Sequence, residues 1–175
     1  ATVRNAFNLL ADSDPDIRQG VLAYVQQLPM TDDIADDIYT TWLRTDSKEL
    51  FFQLHNRHRK PTNPAMEALF LILDGQIEAY LALENENGDY FQEAYTLASE
   101  DMRQRVNKVV QHSGNNRLFD FYKKTLAGTG ALDTDMYIQS LKTVNNETGL
   151  LDASQYLTLP GLLDLCQRWS KNGWR

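Results

Sequence analysis

Pro15-Asp16-Ile17-Arg18-Gln19-Gly20-Val21-Leu22-Ala23-Tyr24-Val25-Gln26 returns, about 85 positions later, as Glu100-Asp101-Met102-Arg103-Gln104-Arg105-Val106-Asn107-Lys108-Val109-Val110-Gln111. Aligned without a gap, the two stretches share Asp16/Asp101, Arg18/Arg103, Gln19/Gln104, Val21/Val106, Val25/Val110 and Gln26/Gln111, with Ile17 exchanged for Met102. In each stretch the apolar positions recur at spacings of three and four, the period of one face of an α-helix. The pattern predicts two equivalent helices whose valines face the core.

Working outward, the rest of the chain reads the same way. The five prolines (Pro15, Pro29, Pro61, Pro64 and Pro160) sit where helices begin or end. Asp14-Pro15 predicts a cap followed by proline in the first turn. Thr31 is expected to cap a helix carrying Ile34, Ile38, Trp42 and Leu43. Asn85-Glu86-Asn87-Gly88 reads as a loop. Met136, Ile138, Leu141 and Val144 predict a further helix, and 157–169 the last one. No sustained period-two alternation bounded by hairpin turns suggests a strand. The expectation is an all-α chain of about ten to twelve short helices, arranged as a solenoid-like stack of antiparallel pairs or as an irregular helical bundle.

The 175 residues suit one domain, expected over 1–175. A net charge of −7 argues against general binding to nucleic acid or anionic membranes, which need a positive field. No stretch approaches the roughly 18 apolar residues of a membrane span. The single cysteine, Cys166, excludes a disulfide within the chain and is expected to be a buried small hydrophobe. The start at Ala1, without Met, suggests a piece of a larger protein, read as cytoplasmic.

Asp12-Ser13-Asp14-Pro15-Asp16-Ile17-Arg18 resembles the core of a HEAT repeat, which carries an Asp in the turn between its helices and an aliphatic-Arg pair soon after. A separation of 85 is about twice the 40–47 residues of a HEAT or armadillo repeat. The resemblance implies structural roles between repeats for Asp12, Arg18 and Arg103. In the second copy the turn Asp is replaced by Leu97. The stretch 64–80 is similar to segments of large bacterial proteins that join helical repeats to WD-repeat propellers. That likeness implies a multidomain scaffold.

His55, Arg57, His58, Arg59 and Lys60 form the one basic cluster, a candidate binding patch for a protein partner or neighbouring domain. The alternative reading is cations favoured at a helix C-terminus. Asp32, Asp33, Asp36 and Asp37 crowd the start of the next predicted helix, where the dipole favours acids. The motifs of P-loops, dinucleotide folds, nucleophile elbows and zincins are missing from the sequence. The expected function is therefore a non-enzymatic interaction or scaffolding module, with no catalytic residue, metal or cofactor. An alternative implied by the resemblance is a HEAT-like DNA glycosylase, with Trp42 and Asp36 or Asp37 around a flipped base. Another is a cofactor-handling helical repeat of the bilin-lyase type.

Overall fold

A computed structural model describes residues 2–11, 14–57, 59–127, 132, 134–135, 137–138 and 149–172. Every regular element among them is helical, and no strand occurs. The helices are α1 (Thr2–Asn8), continued by a 3-10 turn at Leu9–Ala11, α2 (Pro15–Gln27), α3 (Asp32–Thr45), α4 (Lys48–Arg57), α5 (Pro64–Leu73), α6 (Ile77–Leu83), α7 (Asp89–Leu97), α8 (Glu100–Ser113), α9 (Asn116–Leu126), α10 (Gly149–Tyr156) and α11 (Leu159–Asn172). None is long and apolar enough to cross a membrane. The contacts gather into two compact units, Ala1–Val106 and Asn107–Arg175, and α8 runs through the division.

In the first unit α5 is the central helix. Residues 65–72 are all buried, because α3, α6 and α7 pack around it. Asn63 caps α5 by accepting from the Ala65 amide at 3.0 Å, with Pro64 in the first turn where no amide partner is needed. α3 also packs on α1 and α4, and α2 packs on α4. Trp42, Phe51 and Phe70 meet with ring centroids 5.2–5.9 Å apart, and Tyr39 stands edge-on to Phe70 at 5.8 Å. Trp42 is fully buried, as its place in the apolar stripe predicts, and its Nε1 has no hydrogen-bond partner among the described residues.

The loop between α6 and α7 is organised by two side chains. Asn85 Oδ1 accepts from the amides of Asn87, Gly88 and Asp89. Glu84, itself buried, accepts from the amides of Asn85, Tyr90 and Phe91 at 2.7–3.0 Å and from the Tyr80 hydroxyl at 2.8 Å. Gly88 turns the chain at φ 83°, a conformation that favours glycine, but it offers no capping side chain. Glu84 supplies the missing acceptor to the first amides of α7.

In the second unit α9 buries Leu118, Phe119, Phe121, Tyr122 and Leu126. Asn115 caps it through a 3.0 Å bond from the Leu118 amide. Lys123 is also buried: its ammonium lies over the rings of Tyr156 (4.9 Å), Phe119 and Tyr137 and pairs with Asp120 at 3.2 Å. The helix α10 had no counterpart in the sequence reading. Much of the helix expected around 136–144 lies outside the described residues. Cys166 is exposed rather than buried. α11 turns Leu165 into the core, and that places Leu159, Leu163 and Cys166, one stripe at i, i+4 and i+7, on its outer side.

The two sequence-related helices bury the same positions. Val21, Val25, Val106 and Val110 are all buried. The match ends at the first turn. Met102 is fully buried, whereas Ile17 is 40% exposed, because residues 14–17 all face solvent at the start of α2. Thr31, at the N-cap of α3, makes no side-chain capping bond.

Candidate functional site

Three of the five residues of the expected binding cluster, His55, Arg57 and Arg59, are held by the chain's own groups. Arg57, in the last turn of α4, donates to the carbonyls of Leu28 (2.7 Å) and Val25 (3.4 Å) at the end of α2. A guanidinium suits that place, at the negative end of the helix dipole, although the Val25 carbonyl also accepts from the Leu28 amide at 3.3 Å. Arg59 pairs with Asp32 in the first turn of α3, its Nε at 2.9 Å from the carboxylate. His55 Nδ1 lies 3.0 Å from Asp74 Oδ1. His58 lies outside the described residues. Lys60 is exposed and makes no hydrogen bond or ion pair among them.

The acidic patch is the counterpart of the basic one. Asp36 accepts from the Thr62 amide at 2.6 Å and from the Thr62 hydroxyl. Together with Asp32 it fastens residues 59–62 to the start of α3. The structural roles expected of three residues fare differently. Asp12 lies outside the described residues. Arg18 places its charge near Glu49, whose carboxyl is held below its ordinary range mainly by a backbone amide and the Ser47 hydroxyl. Arg103 reaches the last carbonyls of α7, Tyr95 (2.9 Å) and Thr96 (2.8 Å), and lies over the Tyr95 ring at 5.5 Å. Trp42 is sealed between aromatic neighbours and presents no face to a flipped base.

Beside the fastened segment lies a cleft of about 240 Å³. α3 contributes Tyr39 to its wall, α5 contributes Glu67 and Phe70, the segment after α4 contributes Lys60, and α6 contributes Leu83. Glu67 is only 7% exposed, yet its carboxyl has no hydrogen bond or ion pair among the described residues. Tyr39 is buried too, and its hydroxyl has no hydrogen bond among the described residues either. No family model, characterised protein or solved structure matches this chain.

The electrostatics follow from this geometry. Burial raises the Glu67 pKa above the usual carboxylate range, opposed by the charge of Lys60. Burial also pushes the Tyr39 phenol above its ordinary range, with the charges of Glu67 and Asp74 adding to the effect. Tyr39 therefore keeps its proton at physiological pH, as a neutral donor and acceptor. The Glu67 oxygens are not among the fully buried side-chain polar atoms left without a partner, so the carboxyl keeps access to the cleft. Sequence reasoning passed over Glu67 because it sits within the apolar run 65–73, and over Tyr39 because it lies beside the Ile38–Trp42 stripe, so both read as core helix.

Proposed function

We propose that the chain is a non-enzymatic protein-interaction module built from HEAT-like stacked helix pairs. Helices packing on their second neighbours, α1 with α3, α3 with α5, α5 with α7 and α2 with α4, are what stacked pairs require. The shared buried phase of α2 and α8 supports the same reading. Contact between α3 and α7 makes the arrangement tighter than an open solenoid.

One observation carries the functional reading. Among the described residues of the first unit, the large apolar side chains left exposed are Leu9, Ile17, Tyr24 and Phe52, all on α2, on the turn before it or on α4. Phe52, at 62% exposure, faces away from the core that Leu50 and Leu54 enter. Aromatic side chains in water are the usual anchors of protein interfaces. The face made by α2 and its neighbour α4 is thus the surface for a protein partner or an adjoining domain. A net charge of −7 disfavours nucleic acid in that role.

The test is affinity capture from native extract with the wild type, Tyr24→Glu and Phe52→Glu, plus Arg117→Glu as a control on the second unit. Loss of an anchor should weaken capture by about 2 kcal/mol or more, and the control should keep its partners. Unchanged capture by both variants overturns the assignment of this face.

A further inference from the structure

The cleft lined by Glu67 carries a proposal independent of the α2–α4 face. Three residues with polar side-chain ends line it, Glu67, Tyr39 and Lys60. None has a hydrogen-bond or ion-pair partner among the described residues. Arg59, the other cation on the lining, is already paired with Asp32. Leu54, Phe70 and Leu83 supply an apolar wall. We propose that this cleft binds a small zwitterion of the α-amino-acid type with an apolar side chain, its ammonium against Glu67 and Tyr39 and its carboxylate against Lys60.

Size, charge and wall chemistry each restrict the ligand. A volume of about 240 Å³ is below the roughly 300–1,000 Å³ of pockets for drug-sized ligands, so the occupant is a small molecule. A buried acid without donors is relieved by an ammonium, which supplies charge and three hydrogen-bond donors together. The rim ammonium of Lys60 repels a simple amine and attracts a carboxylate. A molecule carrying both charges close together satisfies both ends. The apolar wall then favours a branched aliphatic side chain over a polar one.

The experiment titrates the full chain with L-leucine, with isopentylamine (the amine without the carboxylate) and with 4-methylpentanoate (the acid without the amine). Amide resonances of residues around 39, 67 and 76 report binding by NMR. Leucine should give saturable shifts in the millimolar range or below. Each truncated analogue should bind at least about tenfold more weakly, the factor expected from losing one charged contact. Glu67→Gln should reduce leucine affinity by a similar factor or more. Lys60→Met, a change at an exposed side chain that leaves the core untouched, should weaken leucine while leaving or improving the binding of isopentylamine. The proposal is overturned if leucine gives no saturable shift, if either analogue binds as well as leucine, or if Lys60→Met leaves leucine affinity unchanged.

Discussion

Glu84 and Glu67 lie on the same side of the molecule's division, each more than nine-tenths buried, and they are treated in opposite ways. Glu84, at the end of α6, accepts four hydrogen bonds, three from backbone amides and one from Tyr80. Glu67, in the first turn of α5, accepts none among the described residues, although a cleft opens beside it. A buried charge is stabilising where the backbone supplies donors and destabilising where it does not. The pair therefore separates a carboxylate that builds the fold from one kept without protein partners.

The sharpest way to break that contrast is Glu84→Ala. It leaves the first amides of α7 without an acceptor and should destabilise the protein by on the order of 3 kcal/mol. A denaturant midpoint close to wild type would show that the loop forms without its carboxylate.

Glu67→Gln should act in the other direction. Because burial raises the folded-state pKa of Glu67, folding is favoured by its protonation at low pH, and that contribution is lost as pH rises through the folded value. The variant should match wild type below about pH 4, where the acid is protonated even in the unfolded chain. At neutral pH it should be more stable by on the order of 1 kcal/mol. Melting curves of both proteins from acid to neutral pH test this. A variant less stable than wild type at neutral pH would mean that Glu67 has a stabilising partner.

Two smaller effects refine the comparison. Tyr80→Phe removes a side-chain donor to Glu84 and should cost about 1 kcal/mol, far less than removal of the carboxylate itself. Arg59→Ala should change stability by no more than about 0.5 kcal/mol, since its pair with Asp32 is solvent-exposed. A large loss there would show that the segment above the cleft depends on that pair.

The helices were legible because their signals are local. Asp14 and Pro15 start α2, and the valines repeat within one helix face. The loop at 85–88 was legible for the same reason. The role of Glu84 was not, because its acceptors serve amides six and seven residues ahead, beyond the reach of a capping pattern of three. Glu67 was hidden differently. On a helix whose residues 65–72 are all buried, an acid in an apolar run has only the cleft to face, and sequence periodicity cannot reveal that. The basic cluster read as one patch because charge is visible in sequence. Its dispersal to the end of α2, to Asp32 and to Asp74 depends on which helices become neighbours.

The reach of Arg57 also sets an order of events during synthesis. The last turn of α2 receives its side-chain donor 29 residues after Leu28 has been made. At about 5–20 residues per second, that donor arrives some 1.5 to 6 seconds later. Arg103, by contrast, follows the Tyr95 carbonyl by only 8 residues. A chain growing from its N-terminus can therefore complete the end of α7 within a few residues, whereas the Arg57 bonds to the end of α2 wait until α4 has been made. A ribosomal pause between residues 28 and 57 would prolong that wait, and one placed after Arg57 would not.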